Sequence, residues 1–321
     1  MSAIVPAQGV RMEWQEIPAT VRGALEQQLG ARVVEAATQR GGFSPGVAAR
    51  LRLADGTRAF AKAVSAEVNE QSAAMHRTEL ANAALLPPGT PAPRLLGSYD
   101  DGLWVVLLFE DVAGRQPHVP WVPAELDRVL AAVGRLSERL TPAPDGAEPL
   151  PDEPFKGWRL LAAAHADGTD DLADMDPWVR THLTALAARE RDCGRAIAGD
   201  TLAHADLRAD NILLTDAGAV FVDWPHACRA ARWFDLLVML PSVAMQGGPS
   251  PETLFAAHPA AQGAVAEDVT TALIGLTGMF LDQARRPAPP GLPTLRPFQQ
   301  AQGEQALAWL KTRLAGGSPA G

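Results

Sequence analysis

The spacing of apolar residues changes once along this chain, near residue 110, and that change limits what the chain can fold into. Before it, apolar residues alternate with polar ones or form short runs between turn residues. VVEAAT comes first, then a glycine-bearing turn RGGFSPGVA, then ARLRLADGTRAFAKAV around Asp55-Gly56, then PRLLGSY and LWVVLLFE around Asp100-Asp101-Gly102. Period-two runs joined by Asp-Gly predict strands and hairpins. In this part only residues 17–30, closed by Gly30, and residues 66–86, closed by Pro87-Pro88, have helical patterns. After VAGRQP the period becomes helical, with Leu126, Val129, Leu130, Val133, Leu136 and Leu140 on one face of residues 123–140. Further helices are expected from Asp176-Pro177 to about Ala198, over 232–245, 266–283 and 296–314, with loops at 142–154 and 285–293 and a frayed tail at 315–321. The expected fold class is α+β: a β-rich lobe (residues 1–111) and a mainly helical lobe (residues 112–321). A length of 321 residues suits two such units, and a cleft between lobes is a favoured ligand site.

Charge and cysteine content narrow the function classes. The net charge is −9, which disfavours nucleic-acid binding, since phosphate backbones are held by Lys and Arg. Cys193 and Cys228 offer neither a disulfide framework nor a C-x-x-C pair. The first residues, MSAIVPAQGVRMEW, do not form a signal peptide. The longest apolar stretch, ALIGLTGMFL, is too short to span a bilayer. A cytoplasmic protein without membrane or nucleic-acid partners is expected, either a monomer or a weak dimer.

The chemistry concentrates in HADLRADNILLTDAGAVFVDW, residues 204–224. Two apolar runs flank a turn at Asp216-Ala217-Gly218, and Asn211 and Asp223 each lie six residues from Ala217. If paired, they face one another at the open end of a hairpin, with Cα atoms about 4.5–5.5 Å apart. An amide oxygen beside a carboxylate suits Mg²⁺, which takes hard oxygen ligands and is completed by substrate phosphates. Asp206, just upstream, could accept a proton from an attacking hydroxyl. Taken singly, each residue is as well explained by a strand end or a turn.

A second, independent signal lies in the β-rich part. The 28 basic residues include only three lysines, and Lys62 is the sole one among the first 155 residues. It sits in AFAKAV, on a strand that follows the glycine-bearing turn. An ammonium acting as a point charge on phosphates is a role that arginine does not duplicate. Glu79, in HRTELANAALL, is the best acidic partner; Glu67 and Glu70 lie near the helix start, where carboxylates favour the dipole in any case.

With both parts in view, the chain resembles the aminoglycoside phosphotransferase family, small-molecule kinases with a bilobal protein-kinase-like fold. HADLRADN is similar to that family's His-Gly-Asp-x-x-x-x-Asn loop and FVDW to its metal-binding Asp followed by an aromatic residue. ARWFDLLVML, GGFSPGVA, FAKA and LLFEDVAG resemble its downstream Asp-Leu segment, nucleotide loop, strand lysine and hinge, so that the likeness covers about residues 30–245. It implies ATP (or GTP) and Mg²⁺ as cofactors and in-line transfer of the γ-phosphoryl group. Asp206 would be the base, and Asn211 and Asp223 the metal ligands. Lys62 would hold the α/β phosphates, steadied by Glu79. Backbone amides near Gly42, Phe43 and Ser44 would cap the phosphates, and Glu110 to Val112 would meet the adenine. His204 and Asp235 would brace the loop. Ala205 stands where the family often has Gly, a change that an unstrained backbone would accept.

Only 11 residues separate Asp223 from Asp235, too few for the activation loop of a protein kinase, so a small hydroxyl compound is the expected acceptor. An aminoglycoside-like antibiotic, or a metabolite of choline, homoserine or sugar type, fits this reading. A catalytically weak nucleotide-binding sensor or scaffold is the alternative, although such a module has no use for Asp206. The acidic stretch ADGTDDLADMDPW (166–178) is either a lid for a cationic acceptor or a solvated, helix-capping loop. Trp224 and His226 either touch the acceptor or pack and cap around the hairpin.

Overall fold

The computed structural model describes residues 5–43, 45–151 and 155–316. Helix α1 (Ala19–Leu29) precedes a five-stranded sheet built from β1 (Val33–Thr38), β2 (Val47–Leu53), β3 (Arg58–Ser65), β4 (Leu95–Asp100) and β5 (Trp104–Glu110), with α2 (Glu70–Leu85) between β3 and β4. The spatial order is β1-β2-β3-β5-β4, antiparallel throughout. Local chemistry sets the boundaries. Gly30 ends α1 at φ 79°. The Asp55 carboxylate accepts the Thr57 N–H at 2.9 Å, and Gly56 at φ 87° turns the β2–β3 hairpin. Asn69 caps α2 by accepting the Ser72 N–H at 2.7 Å, so the helix starts at residue 70 rather than 66.

The period of two explains how a lysine comes to lie inside this lobe. Ala59, Ala61 and Ala63 of β3 turn towards α1, into a core with Trp14, Ile17, Val21, Leu25, Leu51, Leu53 and Leu108. Phe60 and Lys62 point the other way and line the cleft. The same alternation that buries three alanines therefore aims one ammonium at the second lobe.

That lobe is mainly helical: α3 (Pro123–Arg139), α4 (Gly157–Ala166), α5 (Pro177–Glu190), α6 (Cys193–Ile197), α7 (Phe234–Met245), α8 (Pro251–Ala257), α9 (Ala266–Ala284) and α10 (Leu295–Gly316). The six apolar residues expected on one face of α3 are all buried in a shared core. Helix α9 lies at the centre, against α4, α5, α6, α7 and α10. Short antiparallel pairs complete the lobe, β6 (Thr201–Ala203) with β9 (Cys228–Ala230) and β7 (Ile212–Thr215) with β8 (Gly218–Phe221). Both cysteines are buried and unbridged. Among the described residues no helix is long and apolar enough to cross a membrane.

Several helix expectations need correction. The single helix over 176–198 is broken after Glu190: Arg191 and Asp192 bond back three residues, to Ala188 and Arg189, before α6 begins. Helix α4 escapes a local reading because its cap comes from afar. The buried Glu190 carboxylate accepts the Trp158 and Arg159 N–H groups at 2.9 and 3.0 Å. The short α8, opened by Pro251, was likewise not expected. The expected tail at 315–321 falls partly within α10, which ends at Gly316, and otherwise outside the described residues.

Gly46 opens β2 at φ 100°, and a Cβ there would press into the Ala63 carbonyl beside Lys62. Gly46→Ala is expected to cost about 2 kcal/mol or more from strain and overlap, read as a lower Tm. An unchanged Tm would show that β2 can shift freely against β3.

Candidate active site between the lobes

The β7–β8 hairpin has a different register from the one expected. Thr215 pairs with Gly218 and Ile212 with Phe221, around a two-residue turn at Asp216-Ala217. Asn211 therefore faces Val222, whose N–H bonds to the Asn211 carbonyl at 3.0 Å, and Asp223 lies one residue past the pair. A slip of one residue sends a side chain to the opposite face. The chain compensates at Asp223 itself, which adopts φ 71° and leaves the strand direction there. Asn211 and Asp223 both line the cleft.

The segment before the hairpin is held from below. The His204 and Ala205 N–H groups donate to the two oxygens of Asp235 at 3.0 and 2.8 Å. The buried His204 ring bonds through Nε2 to the Val222 carbonyl at 2.9 Å and packs tilted against Trp224, 4.6 Å between centroids. Asp235 thus braces the loop as expected. Ala205, however, sits at φ 62°, so the backbone there is strained and the absence of glycine matters. The Asn211 Nδ2 donates to the Asp206 carbonyl and carboxylate at 2.8 and 3.1 Å. Arg208 pairs with the other Asp206 oxygen and with Asp210, and its guanidinium stacks on Phe43 and Phe298, 5.6 and 5.8 Å from their centroids. The sequence reading missed Arg208, although an arginine two residues from each of Asp206 and Asp210 was visible in the motif.

The lobes meet at Lys62. Its Nζ donates to both Glu79 oxygens at 2.7 and 2.8 Å and to Asp223 Oδ1 at 2.8 Å. Glu79 also accepts the Trp224 N–H at 3.3 Å, and Asn82 of α2 donates to the Trp224 carbonyl at 2.9 Å. Burial alone would lower the Lys62 pKa, but Asp223 and Glu79 hold it above the usual lysine value. One ammonium cannot depress two carboxylates equally. Burial works against ionised Asp223, but Lys62 outweighs it and holds its pKa low. For Glu79, with only 4% of its side chain exposed against 29% for Asp223, burial outweighs the ammonium and raises the pKa.

The cleft around this triad is lined by Gly42, Phe43, Glu110, Val112, Phe60, Phe109, Leu213 and Val222 among others. Asp206 is not among the residues that line it. Ser44 lies outside the described residues. The Gly42 N–H is already donated, to the Ala7 carbonyl at 3.0 Å, so this amide does not face the cleft as a donor. At the hinge, the Glu110 N–H bonds to the Arg94 carbonyl and the Val112 carbonyl accepts from Gly114 N–H and Arg50. Arg50 and Arg58 both pair with Asp111, fixing the hinge from β2 and β3. Three of the five carboxylates of 166–178 are paired: Asp170 and Asp174 with Arg285, and Asp176 with the Trp178 N–H and Lys311. Trp224 is core, its indole N–H on the Phe221 carbonyl at 2.9 Å, while His226 is exposed.

Two buried features of the site have measurable consequences. Burial, helped by Lys62, pushes the His76 pKa down to about 4, and burial lowers His204 as well. Between about pH 4 and 6.5 the unfolded chain therefore binds a proton at His76 that the folded chain refuses, so stability falls as pH falls through that window. The His76 share is on the order of 3 kcal/mol, and urea denaturation of His76→Gln should show a shallower loss between pH 7 and 4.5. Ala205→Gly should relieve the positive φ and raise stability by up to ~1 kcal/mol, seen as a higher Tm.

Comparison with known proteins agrees with this fold. The crystal structure of aminoglycoside phosphotransferase APH(4)-Ia superposes with a TM-score of 0.58 at 14% identity, covering 94% of this chain and 100% of that one. A variant of the same protein is known as a ternary complex with ADP and hygromycin B. Choline kinase LicA from Streptococcus pneumoniae gives a TM-score of 0.60 at 12% identity, over 91% of this chain and 98% of that one. Choline kinase from Cryptosporidium parvum gives 0.54 at 12% identity, over 95% and 93%. At such identities these likenesses establish the protein-kinase-like fold. No curated protein sequence matches the chain. Residues 40–273, most of the sequence, match the family model described as phosphotransferase enzyme family, and the chain belongs to that family.

Proposed function

We propose that this chain transfers the γ-phosphoryl group of ATP, or of GTP, to a hydroxyl of a small molecule, an aminoglycoside-like antibiotic or a related metabolite. The carrying observation is Lys62 bonded at once to Glu79 and Asp223 across the cleft, next to a loop in which Asn211 is bonded to Asp206. A nucleotide-binding scaffold needs no carboxylate held in that position. The family membership and the nucleotide complexes of APH(4)-Ia support the same reading.

The donor set fits magnesium. Among the described residues no group of three or more His, Cys, Asp or Glu side chains could hold a metal by itself. One carboxylate, Asp223, and the amide oxygen of Asn211, whose nitrogen is committed to Asp206, suit an ion completed by phosphate oxygens and water. Such an ion would neutralise charge developing on the transferred group. Lys62 would grip the α/β phosphates while Glu79 fixes its position. The purine would lie between Phe60 and Phe109 above and Leu213 and Val222 below, with Glu110 and Val112 offering backbone groups at the hinge. Asp206, oriented through both oxygens by Arg208 and Asn211, would take the proton of the acceptor hydroxyl. Activity would come from placement and electrostatics, and the N-lobe (1–111) and C-lobe (112–321) would each supply one side. Acceptor recognition would then fall to residues other than Asp170, Asp174 and Asp176, which pair with Arg285 and Lys311. A monomer in the cytoplasm suffices for this chemistry.

The test is an ATP-consumption screen over antibiotics and hydroxyl metabolites, with mass spectrometry to find an added HPO₃ group. With an acceptor in hand, Asp206→Asn should lower kcat by about 10²–10⁴ while nucleotide affinity stays within about threefold. Turnover surviving that change would remove Asp206 from its role. No Mg²⁺-dependent nucleotide binding by calorimetry would overturn the kinase reading altogether.

A further inference from the structure

The segment before α1 occupies a position that its sequence does not announce. Residues 7–12 run beside the glycine turn as an added extended strip. Gly9 N–H bonds to the Gly42 carbonyl at 2.9 Å, Gly42 N–H to Ala7 at 3.0 Å, and Met12 N–H to Gly46 at 3.0 Å. The other side of the strip meets the loop after α9. Val10 N–H bonds to the Gly291 carbonyl at 2.8 Å, and the Thr294 hydroxyl bonds to the Gln8 carbonyl at 2.9 Å. The strip thus joins the glycine turn to the helical lobe.

From this strip the Arg11 side chain enters the cleft. Its Nη2 donates to the Gly41 carbonyl and lies 3.2 Å from where a Cβ on Gly42 would sit. Among the described residues, the Lys, Arg and His side chains that line the cleft are Arg11, Arg50, Lys62 and His76. Arg50 is committed to the hinge, through Asp111, Val112 and Gly114. His76 is held neutral by its low pKa. At the inner end, one ammonium faces two carboxylates, Glu79 and Asp223. A polyphosphate entering there meets carboxylate as well as ammonium, so each further cation along the cleft favours its binding. Arg11 supplies such a cation from the side of the glycine turn, where its guanidinium lines the cleft against Gly41 and Gly42.

We propose that Arg11, delivered by the strip over residues 7–12, is a phosphate-binding residue that grips the terminal phosphates of the nucleotide beneath the glycine turn. It takes over part of the work that the Gly42 amide, bonded to Ala7, cannot perform. A guanidinium offers several donors in a fixed fork, which suits phosphate oxygens. This assignment rests on the kinase reading above.

Calorimetry on the full chain tests it, with Mg·ATP and adenosine as the two probes. Arg11→Gln should weaken Mg·ATP by about tenfold or more and adenosine by less than about twofold, with Arg11→Lys between the two. Equal weakening of both probes would make Arg11 a structural residue of the strip, and no weakening of either would also overturn the proposal. Wild-type protein that fails to bind Mg·ATP would instead defeat the kinase reading. Should Arg11→Gln not fold, hydrogen exchange on the wild-type chain decides. Mg·ATP, and not adenosine, should protect the amides of residues 7–12, and absence of that protection sinks the proposal.

Discussion

A single ammonium shared between two carboxylates holds this molecule's working parts in register. Lys62 comes from β3, Glu79 from α2 and Asp223 from the end of the β7–β8 hairpin, so three elements from two lobes converge on one nitrogen. Removing any one partner would leave a poorly compensated charge in a cleft shielded from water, which is why such a cluster fixes geometry even where it adds little net stability. The unequal response of the two carboxylates follows from the same arrangement. Asp223, the more exposed, remains ionised, while Glu79, buried on α2 and bonded to the Trp224 N–H, acts as the anchor.

Around this point the backbone accepts strain where side-chain direction demands it. Ala205 and Asp223 both adopt positive φ values, and each is held by specific bonds, Ala205 by Asp235 and Asp223 by Lys62. Strained residues persist where neighbouring structure overdetermines them, and they gather at functional sites. Here the two flank the short hairpin that carries Asn211. The buried His204 links them, with its backbone on Asp235 and its ring on the Val222 carbonyl.

Much of this was legible in the sequence. The β-rich part, the helical part and the Lys62–Glu79 pair could be read from alternation, helical period and a solitary lysine, because each signal is local, while the meeting of those two residues with Asn211 and Asp223 was implied by the family resemblance. What escaped depends on contacts across long separations. Helix α4 is capped by Glu190, the hinge is set by Arg50 and Arg58 on Asp111, and the Gly42 amide is taken by Ala7. The hairpin register failed for a subtler reason. Counting from a three-residue turn places Asn211 opposite Asp223, whereas a two-residue turn moves the partner to Val222. Only the φ of Asp223 returns its side chain to Lys62, and a single sequence does not display that angle. Ser44 lies outside the described residues, so its expected place in the glycine turn stays a matter of sequence.

The strip over residues 7–12 has a mechanical consequence. Kinase-like lobes are joined by one covalent hinge, here near Asp111 to Gly114, about which they could swing like a book. The bonds from Gln8 to Thr294 and from Val10 to Gly291 add a fastening beside the Lys62–Asp223 pair, a clasp between segments more than 280 residues apart in sequence. A book with a clasp does not open by bending its spine alone. Opening about the hinge would require the Val10–Gly291 backbone bond and the bonds of the Thr294 hydroxyl to Gln8 to part. The pace of turnover would then be set as much by how readily those bonds part as by the phosphoryl step.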